Sequence, residues 1–455
     1  MDKIAIISTR LGGIDGVSIE AKKWADALRM LGLVPVFIAG NFTRNCYDKY
    51  VLINELDFNH PDIVRIKEQA FTRIKDIYIK EPNLQYEFKL RELLVKTKDL
   101  IKTKINSEIK KLDIRYISIE NALSLPLNIP LGIALAEIIF ENRIKTIARH
   151  HDFYWERKEF LKSRIEDILI KYFPPDLDNL NHVVINSIAQ KSLFLRKKIQ
   201  ATYIPNIFDF KLLNNPSYHD LKIKKDLRNF LGLEENDYLF LQPTRIIRRK
   251  NIERSFDFVN KLSSILAKKI YLLISGLPEK HEFKYFKEII DHAKKTSINL
   301  ILCNDFKNIN TKDSNIKVKK VFKLFNIYDL YYACNLVTFP SDLEGFGNPV
   351  LEAAAFKKPL FVNNYRVLKD MLNKGFDFIL INKAVDEKCL KKAAFILSNS
   401  KYWEKIAEKN FKIVKKYYCP DFLIKALGEI LQIKQIKQEK KKNQPEQMVK
   451  GGILN

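Results

Sequence analysis

Apolar and polar residues alternate along the chain in blocks that predict strands and helices in regular succession. The chain opens with the apolar run KIAIIST, the glycine-rich segment RLGGIDG, the amphipathic segment VSIEAKKWADALRMLG and a second apolar run, VPVFIAG. Short apolar runs that alternate with amphipathic segments of helical length are typical of βαβ units and a parallel sheet. We therefore expect an α/β fold from the first residues onward.

An insertion interrupts this rhythm before the predicted strands resume. Residues 86–112 repeat apolar positions at three- and four-residue spacing with lysines between them, which predicts a long surface helix within a helical insertion at 62–111. RYISIE, IKTIARH, NHVVINS and ATYIPN are further predicted strands. Together these segments predict a Rossmann-like domain over residues 1–210.

A second series of strands begins at YLFLQPTR and continues through KIYLLISG, INLILC, NLVTFP and PLFVNN, with helical segments between them. It predicts a second Rossmann-like domain over 211–420, and hence a doubly wound, two-domain architecture. We expect a closing helix at 421–435. The polar and charged residues 436–455 predict a disordered basic tail.

Composition and cysteine spacing limit the class of protein. No apolar run reaches eighteen uninterrupted residues, so we expect no transmembrane helix, and MDKIAIISTR is too short and polar for a secretory signal. The five cysteines lie far apart without a CxxC pair, which disfavours a disulfide framework or a zinc site. A cytoplasmic protein is the expectation that follows.

The formal net charge of +25 raises the question of an anionic partner. The basic residues are spread over most predicted elements, which favours a general compositional bias over a single binding stripe. A remote alternative is a basic nucleic-acid-binding protein, but no RNP motif or zinc finger occurs and we expect no nucleic-acid partner. The charge is compatible with an acidic substrate, or with peripheral contact with the anionic inner face of a membrane.

The segment SDLEGFGNPVLEA follows the predicted strand NLVTFP and carries the clearest candidate chemistry. Asn348 is a predicted N-cap, so a helix should begin here with its free N–H groups facing the cleft, where an anion is favoured. Gly345 and Gly347 allow a ligand to approach the backbone closely. Of the two flanking carboxylates, Glu344 and Glu352, one can hold sugar hydroxyls and the other a ribose diol. The alternative is a capped surface helix with incidental glutamates.

The nonapeptide EGFGNPVLE, which includes Phe346, resembles the E-x7-E signature of retaining nucleotide-sugar glycosyltransferases of the group 1 type, glycosyltransferase family 4. The resemblance implies the GT-B fold, in which an acceptor domain and a donor domain face each other across a cleft. It also implies retaining transfer of a hexosyl unit from a nucleoside-diphosphate sugar to an acceptor hydroxyl. Neither an essential metal nor another cofactor is expected.

Two further donor segments occur in the family's order. In QPTRIIRRKNIERSF, the resemblance implies that Arg245 and Lys250 bind the donor diphosphate, where fixed cations stabilise the charge that grows on the leaving phosphate. The neighbouring Arg248 and Arg249 are expected to be solvated surface charges. IPNIFDF resembles the family's P-N-G-V-D segment and makes Asn206 a donor-binding candidate.

The loop LGGIDGV resembles the family's glycine-rich turn after the first strand. Gly12 and Gly13 are the candidates to bring the backbone close to the donor phosphate or the acceptor. A tight turn without a ligand explains such a loop equally well.

The segment IKTIARHHDFYWER ends a predicted strand with a histidine pair. The resemblance implies that His151 lies near the transferred sugar, so the catalytic candidates are His151, Glu344, Arg245 and Lys250. Aromatic faces stack on sugars and arginines bind carboxylate or phosphate, which makes the residues after the strand acceptor candidates. They are Asp152, Tyr154, Trp155 and Arg157, together with Arg149 near the end of the strand, and anchoring of the next helix is their alternative role. A metal site ranks last, because no third ligand stands at a telling spacing.

Donor and acceptor identities stay open at this stage. UDP-glucose, GDP-mannose and UDP-N-acetylglucosamine are all candidate donors. The segments HHDFYWER and QPTRIIRRKNIE resemble enzymes that glycosylate glycerate-type compatible solutes, and a lipid-linked envelope glycan is the alternative acceptor. A nucleotide-sugar epimerase of the same fold is the alternative class of enzyme, and it would change a sugar without any acceptor.

Overall fold

The computed structural model describes residues 1–13, 15–43, 47–71, 84–214, 222–296, 298–303 and 315–433. Within these ranges, fourteen strands form two parallel seven-stranded sheets. The predicted α/β fold with two Rossmann-like domains is confirmed. The proposed domain limits at 210, 420 and 435 stay predictions, and the predicted tail at 436–455 lies outside the described residues.

The first sheet contains seven strands with helices between them. The strands are β1 (Lys3–Ser8), β2 (Val34–Ala39), β3 (Tyr50–Leu52), β4 (Ile114–Glu120), β5 (Lys145–His150), β6 (Leu180–Val184) and β7 (Ala201–Tyr203). The helices are α1 (Gly16–Met30), α2 (Pro61–Ala70), α3 (Leu84–Leu112), α4 (Ile129–Asn142), α5 (Glu166–Tyr172) and α6 (Ser187–Lys197). The strand order is β3-β2-β1-β4-β5-β6-β7.

The second sheet repeats this organisation. Its strands are β8 (Tyr238–Gln242), β9 (Ile270–Ile274), β10 (Asn299–Leu302), β11 (Ile316–Val318), β12 (Leu336–Phe339), β13 (Leu360–Asn363) and β14 (Ile379–Ile381), in the order β11-β10-β9-β8-β12-β13-β14. The helices are α7 (Lys222–Leu231), α8 (Ile252–Leu266), α9 (Phe283–Lys295), α10 (Ile327–Ala333), α11 (Asn348–Ala355), α12 (Lys369–Leu372), α13 (Glu387–Ser398), α14 (Ser400–Tyr417) and α15 (Pro420–Leu431).

Most residues of the central strands are apolar and buried because helices cover both faces of each sheet. Successive side chains of a strand point to opposite faces. In β1, Ile4 and Ile6 pack in a cluster with residues of α1 and α15, whereas Ala5 and Ile7 pack in a cluster with residues of α3 and α4. The polar ends of the strands are therefore left for the loops that build the site.

The predicted insertion helix is present as α3, and it packs against α4. Leu94, Ile101 and Ile105 of α3 are buried. The ammonium groups of Lys98 and Lys102 lie 3.1 and 2.8 Å from the Glu137 carboxylate of α4. The lysines between the apolar positions thus belong to a partly buried helix pair.

The last described helix, α15, returns to the first domain. Leu423 and Leu427 pack with Trp24 and Leu28 of α1, and Lys145 donates a hydrogen bond to the Leu431 carbonyl oxygen at 3.1 Å. This packing places α15 against the first sheet. No helix in the described ranges is both long and apolar enough to cross a membrane.

Candidate active site

The glycine-rich turn that contains Gly345 and Gly347 connects the end of β12 to the start of α11 in the second domain. Sequence analysis predicted Asn348 as the N-cap, and this detail is wrong: α11 begins at Asn348, and Gly347 is the cap with φ 106°. Only glycine adopts that conformation without strain. A Cβ at Gly347 would also lie 2.2 Å from the Tyr365 hydroxyl, which donates a hydrogen bond to the Phe346 carbonyl oxygen at 2.9 Å.

Glu344 lies beside two cations of the second domain. Its carboxylate accepts a hydrogen bond from Lys250, and the Arg249 guanidinium lies 2.9 Å from its second oxygen. Burial raises the pKa of the Glu344 carboxyl, but Lys250 and Arg249 outweigh burial and hold that pKa below its ordinary value. Arg249 is 41% exposed, as expected for a surface charge, but its pairing with Glu344 was not predicted.

Lys250 is itself nearly buried, with its side chain 9% exposed and its ammonium 5.0 Å from the centre of the Phe339 ring. Burial lowers the pKa of the Lys250 ammonium below its ordinary value, against the opposing influence of Glu344. Two poorly solvated opposite charges therefore stabilise each other.

Arg245 stands at the rim of this cluster. Its side chain is 57% exposed and is paired with Glu279. It lines a cavity of about 660 Å³ that is formed by the loops after β8, β9 and β12. The other lining residues are Ile247, Arg248, Arg249, Asn251, Glu279, His281, Glu282 and Asp342. Arg248, 58% exposed and paired with Glu288 at 2.7 Å, points outward as expected. The contact of Arg245 with a diphosphate stays a prediction.

Glu352 lies one turn into α11 and is bound by a tyrosine that sequence analysis missed. The Tyr331 hydroxyl donates a hydrogen bond to the Glu352 carboxylate at 2.5 Å. Burial raises the pKa of Glu352 above its ordinary value, although the Tyr331 bond and Lys23 act in the opposite direction. In the sequence, Tyr331 is one of several aromatic residues of α10, and its neighbour on α11 is not visible from local spacing.

The glycine loop after β1 forms a capped turn. Gly12 has φ 77°, and its N–H donates to the Tyr47 hydroxyl at 3.2 Å. A Cβ at Gly13 would lie 2.5 Å from the carboxylate of Asp15, which caps α1 by accepting the Ser18 N–H at 3.1 Å. The backbone of the turn thus requires Gly12, whereas a Cβ at Gly13 would meet only the end of a side chain. Their contact with donor or acceptor stays a prediction.

His151 is held by the end of β4, which sequence analysis did not single out. Its N–H donates to the Asn121 side-chain oxygen at 2.8 Å, and its ring Nε2 lies 3.3 Å from the Glu120 carboxylate. Glu120 is 1% exposed. The last residue of the predicted strand RYISIE, Glu120, and the polar residue after it, Asn121, were the available signal, because neighbouring parallel strands end at the same edge of a sheet.

Arg149 is fully buried and connects several parts of the molecule. Its guanidinium donates to Glu20 at 3.1 Å and to the Asn206 side-chain oxygen at 2.9 Å, and it lies 4.6 Å from the Trp24 ring centre. Asn206 in turn donates to the Asn348 side chain at 2.9 Å, across the two domains. This placement does not support the predicted acceptor contact of Arg149 and indicates a structural cation.

The other acceptor candidates are engaged with one another or with α6. Arg157 donates to the Asp152 carboxylate at 2.6 Å. Trp155 donates to the Ser192 hydroxyl at 3.0 Å, and Tyr154 meets the Trp155 ring edge-on at 5.1 Å. Anchoring of this segment is thus observed, and acceptor binding stays a prediction.

In the described part of the chain, no three His, Cys, Asp or Glu side chains are grouped as metal ligands. His150 instead pairs with His182, Nε2 to Nδ1, at 2.9 Å in the interior. The expectation of a metal-independent reaction stays a prediction.

Three kinds of comparison place this geometry among known proteins. The model of the glycosyl transferases group 1 family matches residues 223–413. Two mannosylglucosylglycerate synthases are similar over most of the chain: that of Thermotoga maritima is 33% identical over 91% of this chain and 96% of its own length. The enzyme of Petrotoga mobilis is 30% identical over 84% of this chain and 87% of its own length. The predicted resemblance to enzymes that glycosylate glycerate-type solutes is confirmed.

Solved structures agree on the fold. A glycosyltransferase from Rickettsia africae has a TM-score of 0.62 at 14% identity, covering 95% of this chain and 99% of its own. Anabaena Alr3699/HepE in complex with UDP and glucose has a TM-score of 0.61 at 15% identity, covering 95% and 100%. These matches confirm the predicted GT-B arrangement.

Proposed function

The chain belongs to the group 1 family of glycosyltransferases, and on that premise we propose that it transfers a hexosyl unit, with retention, to a small anionic acceptor of the glycerate type. The observation that carries the proposal is the 33% identity to a mannosylglucosylglycerate synthase along 91% of the chain. That similarity includes both domains. It therefore bears on the acceptor side as well as on the donor side.

The proposed donor is a nucleoside-diphosphate sugar. Structures of similar fold were solved with UDP and with UDP-glucose, which supports this class of donor. The name of the two relatives contains a mannosyl unit attached to glucosylglycerate. We accordingly favour a mannosyl donor such as GDP-mannose and glucosylglycerate as the acceptor.

The proposed reaction breaks the bond between the anomeric carbon and the diphosphate oxygen, and forms a bond to the acceptor oxygen on the same face of the sugar. The departing phosphate oxygen takes the proton of the acceptor hydroxyl, so no protein nucleophile is required. Lys250, Arg245 and Arg249 stabilise the negative charge on the leaving diphosphate. The free N–H groups at the start of α11 add to this stabilisation.

The two glutamates and His151 are assigned to orientation of the donor. The incoming phosphate replaces the Glu344 carboxylate at Lys250, and Glu344 of the second domain then binds sugar hydroxyls. His151 contacts the sugar from the first domain. Glu352, fixed by Tyr331, binds the ribose. Holding the reacting groups in one geometry removes much of the entropic barrier to transfer.

A thermal-shift panel followed by product analysis tests the proposal. Nucleoside diphosphates and their sugars should separate into one that raises the melting temperature and several that do not, because a ligand that binds the native state stabilises it. The stabilising donor should then glycosylate glucosylglycerate or glycerate with the anomeric configuration retained. A product of inverted configuration would refute retention.

Two other outcomes would redirect the assignment. A changed free sugar formed without an acceptor would identify an epimerase. Transfer to a lipid-linked glycan alone, with salt-sensitive sedimentation on anionic vesicles, would favour an envelope enzyme at a membrane face. Cytoplasmic location and membrane contact are predictions that this second outcome addresses.

A further inference from the structure

The N-terminus of α6 lies against the second domain. Asn186 caps α6, because its side-chain oxygen accepts the Ala189 N–H at 2.7 Å. The amide nitrogen of the same side chain donates to the Gly345 carbonyl oxygen at 2.8 Å. Asn186 is 5% exposed, so this bond is shielded from water. One side chain thus begins a helix of the first domain and holds the residue that follows Glu344.

A second contact joins the same helix end to the second domain. The N–H and hydroxyl groups of Ser187 donate to the two carboxylate oxygens of Asp370 at 2.7 and 2.5 Å. A carboxylate is favoured at a helix N-terminus because the free N–H groups there carry partial positive charge. Asp370 therefore completes, from the other domain, the capping that Asn186 begins.

The loop bearing Glu344 also lies close to His151. A Cβ at Gly345 would lie 3.5 Å from the His151 carbonyl oxygen, which is ordinary van der Waals contact. The Glu344 loop is therefore flanked by Asn186 on one side and by the end of β5 on the other. The loops that bear the two candidate catalytic residues thus meet at this point, one from each domain.

We propose that Asn186 is a positioning residue that sets the Glu344 loop against His151, and that Ser187 and Asp370 hold the domains in this arrangement. We call the contacts Asn186–Gly345 and Ser187–Asp370 the domain clasp. The roles of Glu344 and His151 in this inference rest on the proposed function. Polar contacts of this kind exchange for water at small net cost, so the clasp can open for substrate entry and re-form.

The isosteric variant Asn186→Asp tests the positioning role. Aspartate caps a helix as well as asparagine does, but it cannot donate to the Gly345 carbonyl oxygen. We expect kcat to fall about tenfold or more, with the donor KM changed less than about twofold, because loss of one buried hydrogen bond misplaces Glu344. The matched control is Asn399→Asp, since Asn399 caps α14 by accepting the Tyr402 N–H at 2.9 Å. That control should keep the parent kcat.

Small-angle X-ray scattering tests the clasp without any activity. Asn186→Asp and Asp370→Ala should each increase the radius of gyration of the unliganded protein, while Asn399→Asp should not. Unchanged scattering in both clasp variants, or a kcat of Asn186→Asp within about twofold of the parent, would overturn the inference. If the parent transfers no sugar from any donor, the proposed function fails, and the scattering result still decides whether the clasp exists.

Discussion

Lys250 and Glu344 form an ion pair in which each side chain is only 9% exposed. The two residues belong to loops that follow different strands of the second sheet, and the pair stands where the phosphate of a nucleotide-sugar is proposed to bind. Each charge is stabilised by the other, because burial alone would favour the neutral form of both. The Glu344 carboxylate also pairs with Arg249, so its negative charge keeps a cationic partner if either Lys250 or Arg249 is replaced.

Lys250→Met should therefore abolish most activity without unfolding the protein. We expect kcat/KM to fall about a hundredfold or more, because a fixed cation at the leaving phosphate is lost. The melting temperature should change little, since Arg249 remains 2.9 Å from the Glu344 carboxylate. Lys261→Met is the control, as Lys261 lies outside the cavity lining, is 48% exposed and pairs with Asp257. Equal activity in the two variants would remove Lys250 from the mechanism.

Arg149→Met should act on stability. Loss of this fully buried guanidinium leaves the Glu20 and Glu120 carboxylates without it, and both have fully buried side chains. Removing one partner of a buried pair costs about 3–5 kcal/mol, and retention of Lys23 beside Glu20 places the expected loss at the lower end of that range. Urea unfolding measures it. The exposed Arg115, paired with Asp113 at 3.2 Å, provides the control Arg115→Met, with an expected change below about 0.5 kcal/mol.

The partners of Arg149 and Arg249 show what local sequence can and cannot predict. Strand runs such as NLVTFP and the segment EGFGNPVLE were predictable, because their periodicity and turn residues act over a few positions. The environment of Arg149 depends on Glu20, 129 positions away, and that of Arg249 depends on Glu344. No spacing rule relates such partners. Sequence analysis consequently assigned Arg149 to the acceptor, and it predicted the exposure of Arg249 but not its pairing with Glu344.

The start of α11 shows that the sequence alone did not identify which residue caps the helix. Asn348 has the residue type of a good cap, and sequence analysis chose it for that reason. Gly347 takes the position because its φ of 106° is available to glycine, and because Tyr365 occupies the space of a Cβ. Asn348 is freed to bond with Asn206 of the first domain. Backbone dihedral angles and contacts between domains decide such details.

The buried pair of His150 and His182 predicts a loss of stability on acidification. Burial lowers the pKa of His182 from 6.5 to about 4 and lowers that of His150 as well. The unfolded chain then binds a proton at each histidine near pH 6.5, whereas the folded protein protonates His182 only near pH 4 and His150 well below its ordinary pKa. Stability is thus fully present above pH 6.5 and falls as the pH drops, by roughly 1 kcal/mol per pH unit for each histidine.

Urea unfolding at several values between pH 7 and pH 5 measures this slope. His182→Gln should show a shallower dependence than the parent, because one of the two titrating groups is gone. His281→Gln removes a histidine whose side chain is 75% exposed and should leave the slope unchanged. A parent protein equally stable across this range would contradict the assignment of a neutral buried pair.

Tyr331→Phe should weaken donor binding more than it slows transfer. The Tyr331 hydroxyl is 2.5 Å from the Glu352 carboxylate, and without it that carboxylate loses the hydrogen-bond donor that fixes its orientation toward the proposed ribose site. We expect the donor KM to rise about tenfold with kcat changed less than about threefold, since the ribose contact is the same in ground state and transition state. Tyr332, which is next in sequence, gives the matched control Tyr332→Phe. A fall in kcat at constant KM would instead place Glu352 among the groups that act only in the transition state.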